Sequence, residues 1–121
     1  MSTLNKLMLI GRLGADPEVR YTPGQMCIAK FNVATNDVRV GKDGNREEET
    51  EWHRIIVFGK QAEICRDHLK KGKLVYVEGR VKTRSWEDRN GMKRYTTEVH
   101  AKDIRFLSQA SEGRPSEGRP A

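Results

Sequence analysis

The chain has little of what marks a secreted, membrane-bound or metal-dependent protein. Its 121 residues include two cysteines, Cys27 and Cys65. They stand apart, so they fit neither a disulfide framework nor a metal-ligand spacing. They read as plain structural thiols in a reducing compartment, which points to the cytoplasm. No apolar run approaches the roughly 20 residues of a membrane span. The opening "MSTLNKLMLIGRLG" lacks the long apolar segment and small-residue cleavage site of a signal peptide. His53, His68 and His100 have no partner at triad or ligand spacing. "GRLGAD" lacks the Lys-Ser/Thr ending of a phosphate-binding loop. The run Glu47, Glu48, Glu49, Glu51 reads as a solvated loop rather than a metal cluster. These absences argue for a non-enzyme, with no metal and no cofactor.

What is present is charge. Charged residues make up 33% of the chain and hydrophobic ones 36%, so a modest core lies under a heavily charged surface. The length suits one domain that can bury a core without disulfides. The net charge of +6 is unevenly placed. Residues 1–65 hold nine Lys/Arg and nine Asp/Glu, residues 66–107 hold twelve and six, and residues 108–121 hold two of each. A basic excess confined to one stretch suggests a polyanionic partner.

The apolar patterning predicts strands. "NKLMLIGRLG" is a compact apolar run, and "ADPEVRYTPGQ" follows with two turn signals. In "MCIAKFNVATN", Ala29, Phe31 and Val33 alternate with Ile28, Lys30 and Asn32, a second strand. "DVRVGKDGNREEETE" is polar and Gly-punctuated, and predicts a long hairpin loop. "ETEWHRIIVFGK" is the third strand. In "KQAEICRDHLKKG" the period changes: Ala62, Cys65 and Leu69 share one side of a short helix, with Gly72 as its C-cap. "KLVYVEGRVKTRSW" and "KRYTTEVHAKDIRFL" are two further strands around Asn90-Gly91, a hairpin signal. Five strands with a helix between the third and fourth is the order of an all-β OB-fold, a Greek-key barrel with protruding hairpins. The predicted domain is 1–107. The tail 108–121, with Ser-Glu-Gly-Arg-Pro in tandem, has no large apolar residue and predicts disorder.

Two constellations carry a function. On the third strand Trp52, Arg54, Ile56 and Phe58 share one face, while His53, Ile55 and Val57 share the other. The second set reads as core with one polar member. The first is an awkward exterior of two aromatics about a cation. On the later hairpin Arg80, Lys82, Arg84 and Trp86 share a face, and a two-residue Asn90-Gly91 loop would set Trp86 opposite Tyr95. Cations suit phosphates and flat π-faces suit unpaired bases, so such strands can follow single-stranded nucleic acid. Cross-strand stiffening at Trp86 and core packing at Trp52 are the plainer readings. Nothing reads as a helix-turn-helix or zinc finger for duplex DNA.

"NKLMLIGRLGADPEVRYTP", "TEWHRIIVFGK", "LKKGKLVYVEGRVKTRSW" and "RYTTEV" together resemble the single-stranded DNA-binding proteins of bacterial replication, over roughly residues 4–107. The resemblance implies a homotetramer of OB-folds that wraps single-stranded DNA during replication, recombination and repair, in the bacterial nucleoid. It implies base stacking by Trp52, Phe58 and Trp86. It implies phosphate contacts by Lys6, Arg20, Arg54, Lys60, Arg84 and nearby cations. The hairpin reading adds Lys82 and Tyr95 to this DNA-binding set. It implies subunit contacts at His53 and Tyr76. Two departures stand out. Where some members carry a further Trp at the end of the second strand, this chain has Val38 and Arg39, and Arg39 is left to meet a base or phosphate. The family usually ends in an acidic tip closing on Pro-Phe, which recruits replication and repair enzymes, and the sequence given closes on "SEGRPA", either through loss of that function or because the chain is truncated.

Other readings make different demands. A primosome-type OB protein would be a dimer. A protein-interaction adaptor would use the same aromatics without strong salt dependence. A nuclease on this fold would need carboxylates clustered at strand ends, which the sequence does not offer.

Overall fold

The computed structural model describes residues 2–107. The predicted tail lies outside the described residues. The elements in chain order are β1 (Leu7–Leu13), β2 (Glu18–Tyr21), β3 (Cys27–Val40), β4 (Arg46–Phe58), α1 (Lys60–His68), β5 (Leu74–Glu87) and β6 (Lys93–Phe106). The sheet runs β1-β5-β6-β4-β3-β2, and a β1–β3 pairing closes it into a five-stranded barrel. Closure rests on short contacts. Arg12 and Leu13 of β1 pair with Ala34 and Val33 of β3. Ile55 and Ile56 of β4 run parallel to Val99 and His100 of β6, while the other pairings are antiparallel. This is the OB-fold barrel that the sequence order predicts.

Barrel closure brings backbones close. A Cβ on Gly79 would fall 2.2 Å from the His100 carbonyl oxygen, at the bulge between Glu78 and Gly79 of the β5–β6 pair. A strand bends at such a bulge, and only glycine leaves room for the facing backbone.

The core follows the alternation. Ala29, Phe31 and Val33 of β3, Ile55 and Val57 of β4, and Val75 and Val77 of β5 are buried together. Ala62, Cys65 and Leu69 join them from the helix side, as their spacing predicts. Burial, with Cys27 nearby, pushes the Cys65 thiol up to about 12, consistent with an inert structural thiol.

Four expectations need correction. The turn-rich segment after β1 contains the short strand β2, which pairs with Cys27–Lys30 of β3. The predicted loop over residues 37–51 is mostly paired strand, with Asp37, Val38 and Arg39 opposite Glu49, Glu48 and Glu47. The turn proper is 41–45, closed by Gly41 N–H on Asn45 O, with Gly44 at φ 85°. The arm is polar because both its faces are exposed, so no hydrophobic alternation marks it as strand. Gly72 is not the helix C-cap. The helix ends at His68 with Leu69 as its cap, and Gly72, at φ 89°, donates its N–H to Leu13 O in the turn before β5.

The fourth correction is one of register. Trp86 lies opposite Arg94, not Tyr95, and Tyr95 faces Ser85. The connection is the five-residue loop 88–92 rather than a two-residue turn. Asp88 builds it: its carboxylate accepts the N–H groups of Asn90 and Met92 and pairs with Arg94 at 2.9 Å. Gly91, at φ 79°, completes the turn. A one-residue slip moves a side chain to the other face of a hairpin, so Trp86 and Tyr95 occupy opposite faces.

Candidate nucleic-acid interface

The outer face of the barrel is assembled from three strand pairs. On β4 the alternation exposes Trp52 and Phe58, at 57% and 44% of their surface. Ile56, between them, is 4% exposed yet lies outside the main core cluster. It pairs with Lys30 and sits beside His100, and so fills the outer face. Across β3, Ala34 lies opposite Trp52 and Asn32 opposite Arg54. On the β5–β6 hairpin, Trp86 and Arg84 sit on the same face as Thr96 and Glu98.

Each aromatic is held by a specific neighbour. The Trp86 indole N–H donates to Thr96 Oγ1 at 2.9 Å, which leaves 46% of the residue exposed. The Trp52 ring lies so near Gly14 that a Cβ there would come within 2.6 Å of it. Phe58 meets the His100 ring edge-on, with centroids 5.5 Å apart. Edge-to-face contacts of this kind fix ring orientation.

Part of the sequence-predicted set lines three clefts, while Trp86, Lys82, Lys60, Arg20 and Arg39 line none of the three. Trp52, Arg54 and Tyr95 line one, with Asn32, Thr96 and Thr97. Arg54 and Arg84 line the next, with Lys30, Asn32, Asp16 and Glu98. Phe58 and Lys6 line the third, with Arg80, His100 and Lys102. Tyr95 therefore joins the Trp52 cleft rather than Trp86. Lys30, Asn32, Glu98 and His100 line the same clefts and Gly14 lies against Trp52, though the sequence alone did not single them out. The alternation of β3 already put Lys30 and Asn32 on its outward side, but nothing in the sequence said what they would face.

The cations differ in availability. Arg54, Lys60 and Lys82 are exposed, and none makes an ion pair among the described residues. Lys6 pairs with Glu78 at 3.3 Å, and Arg20 with Glu18 at 3.0 Å. Arg39 spans Glu47 and Glu49, at 3.5 and 3.4 Å, near the tip of the acidic arm. Arg84 donates Nε and Nη2 to Glu98 Oε2, at 3.2 and 2.9 Å. Burial alone would raise the Glu98 carboxyl, but hydrogen bonds from Arg84 and His100 outweigh it and hold the group below its usual range.

The two residues expected at subunit contacts lie elsewhere. His53 is half-buried, and its Nε2 is 2.9 Å from Thr35 Oγ1. Tyr76 is half-buried opposite Ile10 and donates its hydroxyl to Glu78 at 2.7 Å. Beside it Met8 and Ile10 are 61% and 55% exposed. Among the described residues no group of His, Cys, Asp and Glu is arranged to hold a metal ion, and no helix is long and apolar enough to cross a membrane.

The chain is similar in sequence and fold to known single-stranded DNA-binding proteins. Single-stranded DNA-binding protein 1 of Xylella fastidiosa (strain 9a5c) is 50% identical over 110 residues, spanning 90% of this chain and 81% of that protein. Its namesake in Chlorobaculum tepidum is 45% identical over 130 residues, 98% and 80% of the two chains. Plasmodium falciparum SSB, solved in complex with single-stranded DNA, superposes with a TM-score of 0.83 at 33% identity, covering 89% of this chain and 98% of that one. A deletion mutant of the single-stranded DNA-binding protein of Thermus aquaticus gives 0.78 at 39% identity, covering 89% of this chain and 52% of that one. Residues 4–107 match the Single-strand binding protein family, and the chain belongs to that family.

Proposed function

We propose that this protein binds and protects single-stranded DNA without sequence preference, through base stacking on Trp52, Phe58 and Trp86 and phosphate contacts from Arg54, Arg84 and Lys82. One observation carries the reading: three half-exposed aromatics and these cations share the outer face of one barrel. Stacking tolerates any base because every base has a π-face, and phosphate contacts are blind to sequence. Lys6, Arg20, Lys60 and Arg39 extend the basic surface. Three of them must first leave a carboxylate partner.

The working form is a homotetramer. Exposed Met8 and Ile10 beside the half-buried Tyr76 form an apolar strip on β1 and β5 that suits subunit contact, and His53 serves a second contact. The protein acts in the cytoplasm, in replication, recombination and repair, without catalysis. The domain ends near residue 107. The test is mass in solution with and without a long oligo(dT), at two salt concentrations. A tetramer that takes up DNA, less tightly at the higher salt, supports the reading. A salt-insensitive complex, or none, refutes it.

A further inference from the structure

Glu98 is the one buried charged residue among the described residues, 4% exposed, and it lies on a face read here as meeting a polyanion. By charge alone it is misplaced, because a carboxylate there repels phosphate. Its two oxygens are divided between two neighbours. Oε2 accepts both hydrogen bonds from Arg84, and Oε1 lies 3.3 Å from His100 Nε2. His100 in turn meets Phe58 edge-on. One carboxylate thus links, through direct contacts, a phosphate-contacting guanidinium to a base-stacking ring two strands away.

We propose that Glu98 is a positioning residue for DNA binding, holding Arg84 through one oxygen and Phe58, by way of His100, through the other. This rests on the reading of the outer face given above. Arginine carries much rotamer freedom, and fixing such a side chain before binding removes an ordering cost. The Arg84 guanidinium bonds Glu98 through Nε and Nη2, which leaves Nη1 for a phosphate, and the side chain is 51% exposed. The carboxylate itself is 4% exposed, with both oxygens engaged by Arg84 and His100.

Glu98→Gln tests this because two accounts disagree in sign. It raises the net charge from +6 to +7, so simple electrostatics expects tighter binding. Positioning expects oligo(dT) binding to weaken about two- to tenfold, from the rotamer freedom returned to the contacting side chains. Equal or tighter binding overturns the proposal.

Double-mutant cycles then locate the effect. The loss must shrink in an Arg84→Met background and in a Phe58→Ala background. Additivity with either one overturns the proposal. Coupling of the same size to Trp86→Ala, whose indole is held by Thr96, would mean general loosening and overturns it too. If Glu98→Gln melts below the assay temperature, His100→Leu carries the test, since it leaves Glu98 bonded to Arg84. Its loss must vanish in Phe58→Ala, and an additive loss overturns the proposal. If neither Arg84→Met nor Phe58→Ala weakens binding, the reading of the outer face fails and the proposal with it. If both weaken it and Glu98→Gln does not, only the proposal fails.

Discussion

Replacing Trp86 with alanine separates binding from stiffening. The residue sits far along the β5–β6 arm, 46% exposed, and its only side-chain hydrogen bond among the described residues is the indole N–H to Thr96. A stacked base is worth about 1–3 kcal/mol by alanine substitution, which is roughly a five- to 150-fold loss of affinity. The stability lost should be small. One net hydrogen bond contributes about 0.5–1.5 kcal/mol, and for a domain of this size that lowers the melting temperature by only several degrees. Trp86→Phe sharpens the contrast, because it keeps a π-face and loses the N–H. If Trp86 stacks on a base, Phe should retain most of the affinity that Ala loses. If it only stiffens the arm through Thr96, Phe and Ala should behave alike. Fluorescence or anisotropy titration with oligo(dT), alongside thermal melting, reads both quantities. Unchanged affinity with a lowered melting temperature would refute the stacking argument.

Four further outcomes are expected. Arg54→Gln, which removes a cation with no acidic partner among the described residues, should flatten the dependence of log affinity on log salt by about 0.7. Arg39→Gln, whose cation is already shared by two glutamates, should leave that slope close to that of the unsubstituted protein, and a drop as large as that of Arg54→Gln in titrations at four salt concentrations would refute this. His53→Trp should favour smaller species on dilution, because a large ring cannot keep the half-buried position against Thr35, and an unaltered tetramer in sedimentation would reject the contact. The hairpin tip should loosen in acid. Hydrogen bonds from Arg94 and from the Met92 and Asn90 amides hold the Asp88 carboxyl below its ordinary value of 3.8. Its contribution is therefore present above that value and lost as pH falls through the lower folded one. Faster amide exchange at Met92 and Asn90 only in that acid window is the expected sign.

Much of the fold was legible because the core is periodic. Ile55 and Val57 followed from alternation alone, and Ala62, Cys65 and Leu69 from helical spacing. The exposed arms were harder. Over residues 37–40 and 46–51 both faces meet solvent, so the alternation that marks a half-buried strand is missing. The register at Trp86 failed for another reason. Asn90-Gly91 signals a turn, but the loop length was set by Asp88, whose carboxylate gathers two amides and Arg94.

By itself the sequence determined the barrel order, the residues facing inward, the basic excess after residue 65, and the aromatics that have no place in a core. These depend on local period and composition. The tertiary structure decided which of those residues meet. It set the Trp52 ring against Gly14, moved Tyr95 from the Trp86 face to the Trp52 cleft, and joined Arg84, Glu98, His100 and Phe58 in one chain of contacts. The reason is closure. Closure sets Arg12 and Leu13 of β1 against Ala34 and Val33 of β3, and Ile55 and Ile56 of β4 against Val99 and His100 of β6, and no local pattern encodes those approaches.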